Sequence, residues 1–483
     1  MTRKSVTKNY LYNLAYQILV LVVPLVTTPY LSRVLGAEKI GIYSYTVSIA
    51  TYFILFGSLG VAMYGQREIA YVQDNKYKTS KNFYEILIMR FITLGISLII
   101  FYFTFTLKGE YRLYYKILTL EILANSIDIS WFFQGLEEFK KMVIRNAIVK
   151  SISTILIFVL IKEPNDLAKY FAIYVMSTLI GNITLWIALP KLVQRVKIKE
   201  LNIFKHFKPT ISLFIPQIAI QIYTVLDKTM LGAIIEDKSE VGFYEQAQKI
   251  VKTLLTITAS LGTVMVPRMA HTFAIGDNEK IIEYMNKSFK FVLLSAFPLT
   301  FGIISISNKF VPVFYGQGYD KVIFLINIIS PIIIFMGLSN VIGTQYLLPI
   351  KKQREFTISV TIGAFINFIL NIILIKYYYS VGASIATVIA EMIVTILQFY
   401  FVRDVFKISE IFKNSRKYFV ASIVMCIVSI EVGRLINNNV LSILVQICVS
   451  VIIYFILLLI LKDELVLEEI KKMELLKAKQ CQK

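Results

Sequence analysis

Long apolar runs recur from one end of this chain to the other. Each is close to the 20 or so residues that a helix needs to cross the hydrocarbon core of a bilayer. Roughly fourteen runs of about 21 residues would occupy most of the 483 residues and leave only short connections. In lipid each backbone donor and acceptor must be satisfied internally, so such runs fold as helices. The composition agrees, with 57% hydrophobic and 17% charged residues against about 45–50% and about 25% in soluble domains. The chain is therefore read as an all-α polytopic membrane protein. A soluble globular enzyme, a disordered chain and a sizeable extramembrane domain are excluded.

Spans are expected at about 11–31, 42–64, 87–107, 114–133, 144–161, 167–189, 211–235, 241–266, 289–306, 322–342, 356–375, 381–401, 418–436 and 440–461. The run at 11–31 follows Arg3, Lys4 and Lys8. It is too long for a signal peptide and no small-residue cleavage site follows it, so it reads as an uncleaved first span. Alternating these spans places 34 Lys and Arg on the side that holds both termini and 13 on the other, with four inside spans. The positive-inside rule puts the richer side in the cytoplasm. This bias also explains the net charge of +20, which in a soluble chain would suggest nucleic acid. No nucleic-acid partner is expected.

The most basic connection holds Lys191, Arg195, Lys197, Lys199, Lys205 and Lys208. It reads as a linker, at 191–209, between an N-lobe at 1–190 and a C-lobe at 210–402. Two further helices occupy 403–461, and a charged cytoplasmic tail occupies 462–483. Cys426 and Cys448 lie in apolar runs and Cys481 in the tail, so no disulfide framework is visible. His206 and His271 have no Cys or carboxylate at ligand spacing, so no metal site is expected.

Two segments repeat. Leu35-Gly36-Ala37 is followed by Gly41-Ile42-Tyr43, and Leu231-Gly232-Ala233 by Gly242-Phe243-Tyr244. Ser58-Leu59-Gly60 and Ser260-Leu261-Gly262 follow at matching offsets, then Arg67 and Arg268. Six helices per repeat is an even number, so the halves share one orientation, as in transporters built from parallel repeats.

Polar residues within spans are costly and face a cavity or a partner. The fourth span carries Glu121, Asn125 and Asp128 on one face, and the third carries Arg90, Thr93 and Ser97. Lys150 lies in the fifth span. The seventh carries Gln217, Gln221, Thr224 and Lys228, with Asp227 beside them. Lys252 lies in the eighth, Asn367 and Asn371 in the eleventh and Glu391 in the twelfth. These stripes either line a hydrated cavity or hold the bundle together by interhelical pairs. Asp227 beside Lys228 reads equally as a structural ion pair or a substrate contact. Glu121 and Asp128 can pair with Arg90 or Lys150, or bind a cation. Pro24 and Pro216, in the first helix of each half, are candidate hinges.

Thr28-Pro29-Tyr30-Leu31-Ser32-Arg33-Val34-Leu35-Gly36, Leu226-Asp227-Lys228-Thr229-Met230-Leu231-Gly232, Val266-Pro267-Arg268, Phe314-Tyr315-Gly316, Asn367 with Asn371, and Val381-Gly382-Ala383-Ser384-Ile385-Ala386-Thr387 before Glu391 carry a resemblance. In that order they resemble the polysaccharide transport (Wzx-type) flippases of the multidrug/oligosaccharidyl-lipid/polysaccharide exporter superfamily. The resemblance implies fourteen helices, with two six-helix lobes and two extra C-terminal helices. It implies a polyprenyl-pyrophosphate-linked oligosaccharide as substrate, moved from the inner to the outer leaflet of a bacterial cytoplasmic membrane by alternating access. Capsular or similar surface polysaccharide and teichoic-acid precursors are both open as cargo. Membrane lipids, a polysaccharide polymerase and other assembly proteins are the partners this implies. No cofactor and no catalysis are expected.

Cationic side chains suit phosphate oxygens. Arg33, Arg90, Lys150, Lys228 and Lys252 are therefore expected in the substrate cavity, with Gln217, Gln221, Asn367 and Asn371. Glu121, Asp128, Asp227 and Glu391 are expected to balance that charge or couple an ion. A drug exporter of the same superfamily would favour an aromatic, acidic site. A membrane glycosyltransferase or polymerase would carry a large outer loop, and the longest here, near 307–321, is about 15 residues. A major-facilitator transporter would have about twelve spans.

Overall fold

The computed structural model describes the backbone of residues 6–406, 408–463 and 465–467. Side chains are described from Val22 onward within those ranges, except at 215–217, 219–220, 222–223, 263–264, 408, 410, 412 and 414. Among the described residues there are helices and turns and no strand. In chain order the helices are α1 (Val6–Ser58), α2 (Val61–Val72), α3 (Lys76–Phe101), α4 (Arg112–Ser126), α5 (Ser130–Gly135), α6 (Phe139–Leu160), α7 (Leu167–Ala188) and α8 (Phe207–Ile234). They continue as α9 (Ser239–Ile275), α10 (Asn278–Tyr315), α11 (Asp320–Ile329), α12 (Ile332–Ser339), α13 (Gln353–Val402), α14 (Ile408–Leu435) and α15 (Asn439–Ile460).

Each expected span falls on helix. Ten stretches among the described residues are long and apolar enough to cross a membrane. Two of them, Val22–Val72 and Gln353–Val402, are 51 and 50 residues long. At 1.5 Å per residue that is about 75 Å, more than twice the ~30 Å hydrocarbon thickness. Each joins two expected spans where the backbone leaves helical geometry, at Gly36 (φ 77, ψ 169) in α1 and at Tyr379 (φ 54, ψ −131) in α13. Glycine accepts the first conformation freely, whereas at a tyrosine a backbone of this kind costs on the order of 1–3 kcal/mol. α9 and α10, of 37 and 38 residues, overrun 241–266 and 289–306; the first turns of α10 carry Glu279, Lys280, Glu283 and Lys287, which favour helix.

Several spans are interrupted. The second breaks at Leu59 (φ 46) and Gly60 (φ 75), between α1 and α2. The fourth breaks between α4 and α5. The tenth breaks between α11 and α12 at Pro331 and ends in a π-helical turn, Asn340–Leu347.

The chain gathers into two compact units, Met1–Gly242 and Phe243–Lys483. In unit one, α6 presents Ile144, Ile148, Ile152, Ile155 and Val159, all exposed, as one apolar stripe. That is the face a helix turns to lipid. In unit two, α15 does the same with Leu444, Val451 and Phe455. The repeated tyrosines occupy comparable places. The ring of Tyr43 packs on Tyr170, Phe171 and Tyr174 of α7. Tyr244 is buried, and its hydroxyl lies 2.8 Å from Thr387 Oγ1 on the second half of α13. The preceding glycines are as constrained. A Cβ on Gly41 would sit 1.7 Å from the Lys238 carbonyl oxygen, and one on Gly242 would sit 2.0 Å from that of Ala37.

Candidate functional site

The polar interior of unit one is built around the break in the fourth span. Asn125-Ser126-Ile127-Asp128 carries side chains that compete with helical hydrogen bonds, and α4 stops at Ser126. The break frees backbone carbonyls inside the bundle, where each needs a donor. Arg90 Nε and Nη2 donate to the Asn125 carbonyl at 3.0 and 2.7 Å. Asn182 Nδ2 donates to that of Ala124 at 2.8 Å, and Trp186 Nε1 to that of Ile127 at 2.8 Å. Arg90 is buried, and its Nη2 stands 3.8 Å from Asp128 Oδ2. A cation at the carboxyl end of a helix is favourable. Glu121, also buried, faces Asn125 Nδ2 at 3.4 Å. Arg90, Asp128 and Glu121 are thus brought together.

Lys150 lies elsewhere in the unit. It lines a cavity of about 300 Å³ between α6 and α7, with Arg145, Asn146, Ser177, Thr178 and Asn182. Asn182 links the two regions: its Oδ1 accepts from Arg145 Nη1 at 3.2 Å while its Nδ2 caps α4. On α8, Asp227 is buried, Lys228 half-buried and Gln221 exposed. Arg33 is exposed near the end of the first span. The side chain of Gln217 lies outside the described residues.

In unit two many of the described polar contacts join neutral groups, beside an ion pair of Lys417 with buried Asp463. Asn371 Nδ2 donates to Asn367 Oδ1 at 3.0 Å, and both residues are fully buried. Asn367 Nδ2 finds no acceptor among the described residues. Gln248 Nε2 donates to the Tyr244 hydroxyl. Glu391 is buried and Lys252 half-buried. A cavity of about 600 Å³ opens between α9, α10, α14 and α15. Leu254, Leu294, Pro298, Ile303, Met425 and Tyr454 help line it, and it is almost wholly apolar. No cluster of three or more His, Cys, Asp or Glu able to hold a metal is found among the described residues.

Asn182, Trp186 and Arg145 are additions to the expected set. Thr178, Asn182 and Trp186 lie at i, i+4, i+8 on α7, a polar stripe of the same kind as those read on the other spans. His206 is a second addition. Its sequence neighbourhood offers no carboxylate at ligand spacing, but the fold brings Glu85 Oε2 to within 2.9 Å of its Nε2 from 121 positions away.

Residues 6–273 match the family model of polysaccharide biosynthesis proteins. The protein named as an O-antigen transporter in Escherichia coli (strain K12) is 26% identical over 83% of this chain and 97% of its own length. The lipid II flippase MurJ of Bacillus subtilis (strain 168) is 28% identical over 29% of this chain and 26% of its own. A solved structure of a lipid II flippase MurJ in an inward closed conformation superposes with a TM-score of 0.74. It covers 95% of this chain and 100% of that one at 19% identity. An inward-facing multidrug resistance MATE family transporter gives 0.60, over 81% and 96%, at 14% identity. These relatives are transporters and flippases rather than enzymes, and the chain belongs to the polysaccharide biosynthesis protein family, with the fold of the MurJ- and MATE-type exporters.

Proposed function

We propose that the chain is a flippase for a polyprenyl-pyrophosphate-linked oligosaccharide. It carries the unit from the inner to the outer leaflet of a bacterial cytoplasmic membrane by alternating access, with both termini in the cytoplasm, for capsular or similar surface polysaccharide. The observation that carries this reading is the match, over 83% of this chain, to a chain named as an O-antigen transporter, together with the coexistence of two unlike interiors. A glycan pyrophosphate needs hydrogen-bonding and cationic groups, and Lys150, Lys228 and Lys252, all half-buried on their helices, are of the right type. A long isoprenoid tail needs a dry groove, and the apolar cavity beside α14 and α15 is of that type.

Arg33 adds charge near the end of the first span. Arg90 adds charge beside the helix break, which its hydrogen bonds also hold. Gln217, Gln221, Asn367 and Asn371 supply neutral contacts. Glu121, Asp128, Asp227 and Glu391 balance the cations or couple an ion. Membrane lipids surround the chain, and a polymerase or other assembly protein receives its product. Teichoic-acid precursors carry the same pyrophosphate-lipid chemistry and fall under the same test.

Lys150, Lys228 and Lys252 are each replaced by Gln and by Arg. Surface glycan and the membrane level of the protein are then measured in cells that depend on this chain for export. The Gln variants are expected to insert normally and export poorly, with the Arg variants partly active. Normal export by all three Gln variants at normal protein level would remove the cationic site.

A further inference from the structure

The connection between α7 and α8 carries features that transport leaves unused. It is pinned to the bundle by a buried side-chain chain. His206 is 1% exposed. Its Nδ1 lies 2.7 Å from the Tyr64 hydroxyl on α2, and its Nε2 2.9 Å from Glu85 Oε2 on α3. Glu85, itself fully buried, also accepts from the Asn202 backbone N–H at 2.7 Å and pairs with Lys205 Nζ at 2.6 Å. Three residues of the connection therefore converge on one carboxylate. This fixes which side chains face outward.

Those that do are of two kinds. Ile198 and Phe204 are 84% and 79% exposed, among the most exposed apolar side chains described. Around them Lys191, Arg195, Lys197, Lys199 and Lys208 are exposed too, and Glu200 is the single carboxylate between 191 and 208. The connection leaves one membrane helix at Ala188 and enters the next at Phe207, so it lies where the chain emerges from the hydrocarbon. Apolar side chains beside basic ones at that level match a bilayer surface. The rings and aliphatic groups enter between headgroups, and the ammonium groups meet phosphates. The charge complementarity selects anionic headgroups.

We propose that the pinned α7–α8 connection is a surface anchor that binds the anionic phospholipid headgroups of the leaflet it faces. The charge read as topogenic in the sequence then has a second use. It holds this end of unit one at a defined depth.

The test uses the full chain with its native cysteines replaced, carrying Phe204→Cys or, separately, Ile198→Cys, each spin-labelled. Protein is reconstituted in phosphatidylcholine alone and with phosphatidylglycerol added. Collision of the label with oxygen, which favours lipid, is compared with collision with a water-soluble nickel chelate. Phosphatidylglycerol should raise the oxygen-to-nickel ratio at both positions by about two-fold or more, and adding Arg195→Gln, Lys197→Gln and Lys199→Gln should abolish the rise. Labels equally wet in both bilayers overturn the proposal, as do labels equally deep in both. Labels wet in reconstituted bilayers but shielded in native membrane vesicles also overturn it, and assign the face to a protein partner.

Discussion

In unit one the broken fourth span ends in carbonyls that meet a guanidinium and two side-chain N–H donors. In unit two hydroxyls meet carbonyls of the broken tenth span: Thr300 Oγ1 donates to that of Ser330, at the break, at 3.4 Å, and Thr395 Oγ1 to that of Phe335, inside α12, at 2.9 Å. The donors come from corresponding elements six spans apart, the third and sixth in unit one, the ninth and twelfth in unit two. One mechanical feature is thus satisfied by two kinds of chemistry. A hydroxyl cap brings no charge and needs no counter-ion. Arg90 needs Asp128, and its neighbours tie that pair through Asn182 to the cavity that holds Lys150. Unit one's interior is a polar network centred on a guanidinium, whereas in unit two the side chain of Gln446 on α15 ties together the Ser429 carbonyl of α14 and the Ser305 carbonyl of α10 without a charge.

This contrast is open to a direct challenge. Arg90→Leu takes both guanidinium donors from the Asn125 carbonyl, leaving it the Asp128 N–H at 3.3 Å, and leaves Asp128 without its cation, a loss expected to cost about 3–5 kcal/mol. Thr300→Val removes one neutral bond and should cost about 1 kcal/mol. Thermal stability in detergent and protein level in the membrane should therefore collapse for the first variant and hold for the second. Equal losses would mean that the guanidinium is not the keystone of the break. The repeated glycines should behave alike where the caps do not. Gly41→Ala and Gly242→Ala each drive a methyl into a carbonyl oxygen, at an expected cost of about 1–3 kcal/mol. Gly95→Ala, with open space at its Cβ, should be neutral or stabilising by up to about 1 kcal/mol. An order of magnitude below Arg90 in consequence for folded yield, Asn182→Leu should still exceed Thr395→Val. It unties Arg145 and the Ala124 carbonyl together, about 1–3 kcal/mol against about 1 kcal/mol. Differential scanning fluorimetry of the two purified variants decides that order.

The helices were legible because twenty-residue apolar runs are local, countable signals. The stripe on the fourth span was legible too, and of the partners open to Asp128 the fold places Arg90 beside it. The break itself was not, because Asn125-Ser126-Ile127-Asp128-Ile129-Ser130 contains neither proline nor glycine. Only a cluster of short polar side chains marks it, and such residues also sit within membrane helices. Pro331 gave the tenth span a clearer mark. The pair His206 and Glu85 was beyond any spacing rule, since the fold alone joins residues 121 positions apart. The tail beyond Leu467 lies outside the described residues.

The smallest expected effect separates this connected interior from the clamp at the edge of the same unit. Burial holds the His206 imidazole below its ordinary range, and nearby Lys205 adds to this, while the bond to Glu85 and the charge of Glu68 pull the other way. The ring is therefore neutral in the fold, between Tyr64 and Glu85, with Lys205 on the same carboxylate. In the unfolded chain it titrates near about 6.5. A folded pKa below the unfolded one means that the contribution is complete above about pH 6.5 and is lost as pH falls through the lower, folded value. Acidification should thus loosen residues 198–210 while the Arg90-capped break, which holds no histidine, stays closed. Amide exchange followed from about pH 8 to about pH 5, corrected for intrinsic rates, should show a few-fold loss of protection confined to the clamp. His206→Asn should lower protection there at neutral pH and flatten its pH profile. An unchanged profile in that variant would assign the titration to another group, and a loss shared by α4 and α5 would mean that the clamp and the interior open as one.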